Sequence, residues 1–247
     1  VSVMALYIFD SLEGAPVVDL SNVEVNLNNT SYIYVTDPET QEETIVKELY
    51  SGQNREWVSY DQIPEMLVNV TIAAEDKRFL EHHGVDWLRT IRSTLGYFGG
   101  SSRVQGGSTI TQQVIKNLTG NDEVTPERKV QEIFTALKLE KNFSKEQIME
   151  TYLNIAFFSN QCYGIQSASK LYFNKDISEL NVAEAATLIA ITNAPTKYNP
   201  LRMNANEDYG WRTGMEENKE RRDYILEEMY KLQMLTQSEY QKWLDYD

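Results

Sequence analysis

Residues 71–84, TIAAEDKRFLEHHG, set the organisation of this chain because they close a predicted helix on two adjacent acids, Glu75 and Asp76. The apolar spacing that leads into them predicts a helix from Asp61, with Asp61 as its cap and Pro64 in its first turn. A helix dipole disfavours negative charge at the C-terminus, so an acid pair at that end needs another reason. Glu75 is therefore a candidate for chemistry.

A second candidate acid, Glu132, lies on a long predicted helix that starts near Pro126. It ends the block RKVQE, residues 128–132. Arg128 is four residues before it, and an ordinary salt bridge on a helix surface is the simplest interpretation of that pair.

Between the two acids lies the polar block GGSTITQQ, residues 106–113. Ser108 or Thr109 can cap the helix that follows, and its N-terminus then offers free backbone N–H groups to an anion. Two carboxylates facing one polar, glycine-bounded loop are a common layout for the transfer of a sugar or acyl group. The pattern predicts a cleft between residues 75 and 132.

The flanking segments predict support for that cleft. Alternation at 31–35 and 44–50, around a turn at 36–39, predicts a hairpin, and 57–60 reads as a third short strand. Further helices are predicted with starts at Ser144 (a capping box), Ile165, Ser178, Glu217 and Thr236.

Residues 85–98 form an amphipathic helix pattern with arginines among aromatic and aliphatic residues, followed by a loop at 99–102. Two interpretations stand beside each other: the apolar face is part of the core, or it lies on an anionic membrane surface.

Charge argues against nucleic acid as a partner, because 23 basic residues against 37 acidic ones give a net charge of −14. No acidic residue occurs between Trp87 and Asn121, so that stretch suits an anionic surface. The single Cys162 excludes an internal disulfide. The apolar residues Val1–Phe9 are too few to span a bilayer, and read either as an edge strand or as the outer end of a membrane anchor.

Several blocks together resemble glycosyltransferase family 51, the peptidoglycan glycosyltransferase domain of class A penicillin-binding proteins and of monofunctional glycosyltransferases. The blocks occur in the family's order and spacing from about Tyr32 to the C-terminus. They are ED-x-R-F-x-x-H-x-G at 75–84, GGSTITQQ at 106–113 with Lys116-Asn117, RK-x-x-E-x-x-x-A-x-x-LE at 128–140, SK-x-x-I-x-E-x-YLN at 144–154, and A-x-x-IA-x-x-x-AP-x-x-YNP at 186–200.

This resemblance implies a mainly α fold, with a lysozyme-like helical large lobe and a smaller membrane-facing jaw at about 85–120. A short N-terminal β-hairpin region precedes them. We expect residues 1–60 to form a β-rich appendage or linker after a membrane anchor, and residues 61–247 to form the glycosyltransferase domain.

The resemblance also implies the polymerisation of lipid II into β-1,4 glycan strands, with inversion and release of undecaprenyl diphosphate. Glu75 matches the general base and Glu132 the second essential glutamate, which either binds a divalent cation (Mg or Mn) beside the diphosphate or orients the basic residues. Lys116, Arg128 and Lys129 are the expected diphosphate contacts. Residues 121–125 lack a basic residue that the family often carries there, so diphosphate binding is expected to rest more on Lys116 and Arg128, or on a metal ion. Other matched polar positions, expected to contact substrate or support the site, are Asp76, Arg78, His82, Ser108, Thr109, Gln112, Gln113 and Asn154.

Expected partners are lipid II, the growing glycan and the bacterial membrane surface, with no nucleic acid. The expected location is the extracytoplasmic face of the cell membrane, held by an N-terminal helix outside this chain. The domain belongs either to a monofunctional enzyme or to a bifunctional one whose C-terminal transpeptidase domain lies outside the chain. Rival readings are a lysozyme-like hydrolase or lytic transglycosylase, and an inactive glycan-binding scaffold.

Overall fold

The computed structural model describes residues 16, 18–21, 23, 31–36, 43–49, 54–98, 107–120, 125–205, 210 and 212–246. Within them the predicted mainly α fold is confirmed. The helices are α1 Glu65–Glu75, α2 Trp87–Phe98, α3 Ile110–Thr119, α4 Pro126–Asn142, α5 Lys145–Ile155, α6 Ile165–Phe173, α7 Val182–Asn193, α8 Gly214–Lys231 and α9 Gln237–Leu244. Predictions at 1–9, 37–39, 99–102, Gly106 and 121–124 lie outside the described residues.

The predicted hairpin is confirmed: β1 (Ser31–Thr36) pairs antiparallel with β2 (Glu43–Leu49). The strand predicted at 57–60 is wrong, since a 3₁₀ turn covers Tyr60–Gln62 and its capping side chains come from Ser59 and Gln62. The short strand lies earlier instead, at Asn54–Arg55 (β3), and pairs in parallel with Cys162–Tyr163 (β4).

Pro64 sets the start of α1. A residue before proline is driven towards extended conformations, and Ile63 has φ −79° and ψ 119°. The 3₁₀ turn therefore ends at Gln62, and α1 begins only at Glu65 with Pro64 in the N-cap position. The prediction of Asp61 as the cap of this helix is wrong for that reason.

The core is built around α1 and α7. Leu67, Val70 and Ala73 of α1 are fully buried, as are Leu188 and Ile189 of α7. These two helices pack on each other, α8 packs on both, and α3 packs on α4 and α5. The end of α1, which carries Glu75, is thus held by a rigid helical body.

Local capping explains most helix boundaries. Ser144, Thr109 and Thr236 cap their helices as the sequence predicts. The helix predicted to start at Ser178 instead begins at Val182, because Asn181 forms a capping box with Glu184. Ser178 lies in a separate 3₁₀ turn.

The segment before α1 is attached to the helical body through Asn154. This fully buried side chain accepts from the backbone N–H of Val58 (2.8 Å) and donates to its carbonyl (2.7 Å), as a neighbouring strand would. The predicted boundary at residue 60 stays a prediction, and residues 54–58 contact the body directly. Among the helices that the structure describes, none is long and apolar enough to span a bilayer.

Candidate active site

Glu75 is the last residue of α1, and its carboxylate is held from two sides. Gln113 Nε2 in α3 donates to Oε2 at 2.8 Å, and Thr192 Oγ1 near the end of α7 lies 3.3 Å from Oε1. The residue is 6% exposed. A carboxylate in this setting is oriented by the protein and largely removed from bulk water, as a general base in a cleft must be.

Arg89 supplies a positive charge at the C-terminal end of α1, where the sequence left the pair of acids unexplained. Its guanidinium donates to the backbone carbonyl of Glu75, and Nη1 lies 4.0 Å from Asp76 Oδ1. A cation at a helix C-terminus interacts favourably with the dipole and offsets the acid pair. Arg89 lies in the stretch between Trp87 and Asn121 that contains no acidic residue, and this was the only feature of the sequence that pointed to it.

Asp76 joins this end of α1 to the start of α3. It is fully buried, and Oδ2 accepts from the backbone N–H of Ile110 at 3.1 Å and contacts His82 Nε2 at 2.8 Å. Of the two roles considered for Asp76 and His82, support for the site fits this placement better than contact with a substrate.

Arg78 forms a two-point ion pair with Asp86. Asp86 also accepts from the backbone N–H of Arg89 at 2.9 Å and so caps the first turn of α2. Burial opposes the ionisation of Asp86, but the Arg78 guanidinium and the Arg89 N–H outweigh it, so the pKa of Asp86 is lowered. The pair fixes the start of α2 relative to the Glu75 loop, and Asp86 was missed in the sequence.

The second acid, Glu132, lies buried in α4 between two cations. Arg128 Nη2 lies 2.5 Å from Oε2, and Lys129 Nζ contacts Oε1. Lys129 also reaches Ser108 Oγ at 3.3 Å, which ties α4 to the polar turn before α3. The group carries one net positive charge, in an arrangement where each carboxylate oxygen positions one cation.

A pocket opens beside this group. Its lining includes Lys116 and Thr119 of α3 and Arg128 and Glu132 of α4, together with Pro16. The space is small, with room for about one water molecule, and Lys116 and Arg128 give its lining positive charge.

The helix α3 serves both acids. Gln113 contacts Glu75, and Lys116, one turn later, lines the pocket with Glu132. The N-terminus of α3 is fixed by Thr109, whose hydroxyl donates to the carbonyl of Gly84 at 2.7 Å. The structure thus links Glu75 to Gln113 of α3, and it brings Lys116 of α3 beside Arg128 and Glu132 of α4.

The remaining predicted residues lie in the interior. Gln112 is fully buried and completes the capping box with Thr109, while Asn154 holds Val58. Such side chains support the site, and neither presents a free surface to a ligand.

A divalent cation at Glu132 stays a prediction, and the residues around that carboxylate do not fit it. Both oxygens are engaged by cationic side chains, which would repel a metal ion. Over the described ranges, no group of three His, Cys, Asp or Glu side chains could hold a metal. The donor set favours the alternative considered, in which Glu132 orients Arg128 and Lys129.

The comparisons with known proteins agree on one family. The transglycosylase family model matches residues 42–230. Penicillin-binding protein 1F of Bacillus subtilis is 42% identical over 181 residues, 73% of this chain and 24% of the relative. Penicillin-binding protein 1A of Aquifex aeolicus is 44% identical over 149 residues, 60% of this chain and 20% of the relative. The chain therefore spans between a fifth and a quarter of these relatives' lengths.

Among solved structures, penicillin-binding protein 1A from Haemophilus influenzae matches 89% of this chain and 21% of its own length. The sequence identity is 19% and the TM-score is 0.44.

Proposed function

Because this chain belongs to the transglycosylase family, we propose that it is a peptidoglycan glycosyltransferase that polymerises lipid II into β-1,4-linked glycan strands. One observation carries the proposal: helix α3 contacts a buried, oriented carboxylate through Gln113 and, one turn later, lines a small cationic pocket with Lys116. Glycosyl transfer from a diphosphate donor requires both, a base for the incoming alcohol and cations for the departing diphosphate.

In this mechanism Glu75 takes the proton from the 4-hydroxyl of the acceptor sugar as that oxygen attacks the anomeric carbon. Gln113 and Thr192 fix the direction of the carboxylate. Attack from the face opposite the leaving group inverts the α linkage to β, and undecaprenyl diphosphate departs.

The charge that develops on the leaving diphosphate is stabilised by Lys116, Arg128 and Lys129. Glu132 holds Arg128 and Lys129 in place, so their side chains need little reorganisation when the charge appears. Ser108 adds a hydroxyl beside Lys129.

The lipid part of the substrate places the enzyme at the bacterial membrane surface. Trp87, Leu88 and Ile91 of α2 are each more than half exposed, and Arg92 is exposed beside them. An apolar helix face with adjacent arginines suits the interface of an anionic bilayer. We propose that α2 contacts the extracytoplasmic face of the membrane.

Turnover of defined substrates tests the function. Incubated with purified lipid II in detergent, the protein should produce long glycan, resolved by gel electrophoresis; incubated with preformed glycan, it should leave the length unchanged. Shortening of glycan would favour the lysozyme-like hydrolase instead. Binding without either change would favour a scaffold.

Glu132→Gln separates the two roles of this carboxylate. If Glu132 orients the cations, turnover should fall by about 10- to 100-fold, since two hydrogen bonds to a charged group are weakened. Affinity for inorganic pyrophosphate, measured by calorimetry with Mg²⁺ present, should not weaken, because the pocket gains net positive charge.

Glu127→Gln on the same helix is the matched control, because Glu127 is exposed in the first turn. Strong loss of pyrophosphate affinity in Glu132→Gln alone would instead indicate that the carboxylate holds a bridging metal ion.

A further inference from the structure

We infer that Thr192 is a positioning residue for Glu75 and that its hydroxyl serves both protonation states of that carboxyl group. The inference rests on the proposed function, in which Glu75 gains a proton during each transfer. It concerns a residue 117 positions away along the chain, near the end of a helix otherwise devoted to the core.

Two acceptors lie within reach of the Thr192 hydroxyl proton. Oγ1 lies 3.3 Å from Glu75 Oε1 and 2.9 Å from the backbone carbonyl of Ile189. A hydroxyl has one donor and two acceptor lone pairs, so it donates to only one of these oxygens at a time. When Glu75 is ionised, the carboxylate is the stronger acceptor.

Tyr152 sets the rest of this arrangement. Its hydroxyl donates to Thr192 Oγ1 at 3.3 Å, and the side chain is only 1% exposed. Burial first, and then the nearby charge of Glu75, raise the pKa of Tyr152 well above its ordinary value, so it remains a donor at neutral pH. One lone pair of Thr192 is thereby occupied, and its own proton is left for Ile189 or Glu75.

Protonation of Glu75 reverses the hydrogen-bonding role that Thr192 must take, from donor to acceptor. Once Glu75 carries the proton taken from the acceptor sugar, its new O–H group needs an acceptor. Rotation of the Thr192 hydroxyl towards Ile189 O exposes its second lone pair to Glu75. Gln113 cannot do this, because the Nε2 group that faces Glu75 is only a donor.

Three variants test the inference. Thr192→Val keeps the shape and removes the hydroxyl, and should lower kcat for lipid II by about 10- to 100-fold while KM changes little. Thr192→Ser should retain a rate close to wild type. Thr187→Val is the matched control, since the Thr187 hydroxyl bonds the carbonyl of Ala183 one turn earlier on the same helix.

Equal rates for wild type and Thr192→Val would overturn the inference, and so would equal losses in Thr192→Val and Thr192→Ser. If Thr192→Val unfolds, Tyr152→Phe decides, with an expected loss of about 2- to 10-fold; a wild-type rate would refute the hydroxyl chain.

A readout without turnover separates this inference from the proposed function. The ¹³C shift of the Glu75 carboxyl group should change in Thr192→Val and not in Thr187→Val, even if wild type fails to extend lipid II. An unchanged shift refutes the contact, whereas an inactive wild type refutes the function.

Discussion

Glu75→Gln should lower the proposed polymerisation of lipid II by at least about 100-fold, the contribution expected of a positioned general base. Glutamine keeps the size and the planar shape of the side chain, and its carbonyl oxygen still accepts from Thr192 or Gln113. It has no group that takes a proton from an alcohol at neutral pH. Initial rates with purified lipid II measure the loss.

Binding of lipid II should stay near that of wild type in this variant, because the cationic pocket is intact. Fluorescence anisotropy of a labelled lipid II in detergent micelles checks it. Glu81→Gln is the control, since Glu81 is exposed in the same loop. A Glu75→Gln enzyme with wild-type rate would remove Glu75 from the mechanism.

Gly84→Ala should destabilise the domain by roughly 3 kcal/mol or more. Gly84 has φ +87°, and a Cβ there would lie 2.5 Å from the carbonyl oxygen of Ala136 in α4. Both the backbone conformation and the space therefore require glycine. Its carbonyl also accepts from Thr109, so movement of this residue would disturb the start of α3.

Gly120→Ala provides the comparison for chemical denaturation. Gly120 has φ +63°, yet a Cβ there would meet no atom of the described residues within 4 Å. It should lose only the conformational part, roughly 1 kcal/mol. Equal losses in the two variants would contradict the proposed clash with α4.

The sequence predicted the features that depend on neighbours along the chain. Cap residues located the start of α3 to Ser108 or Thr109, a capping box located the start of α5, Thr236 marked the start of α9, and alternation located the hairpin. The start of α7 was missed because a 3₁₀ turn precedes it, and β3 because its partner β4 lies more than a hundred residues away.

The residues of the candidate site likewise divide into those that the sequence pointed to and those that only the structure shows. The resemblance of the motif blocks implied roles for Glu75, Gln113, Lys116 and Glu132, and these roles stay predictions. Arg89 and Thr192 could not be assigned to Glu75, since nothing in their own segments records a contact formed only by folding. Asn154 stood in a motif, and only the structure shows that it holds Val58.

The shared helix α3 has a mechanical consequence. Gln113 and Lys116 are one turn apart on one helix. We therefore expect a ligand that moves Lys116 together with α3 to move the Gln113 amide that bonds Glu75 as well. Binding of a ligand at Lys116 would in this way affect the site around Glu75. We expect an inhibitor that binds at Lys116 to disturb the contact between Gln113 and Glu75 without itself contacting the carboxylate.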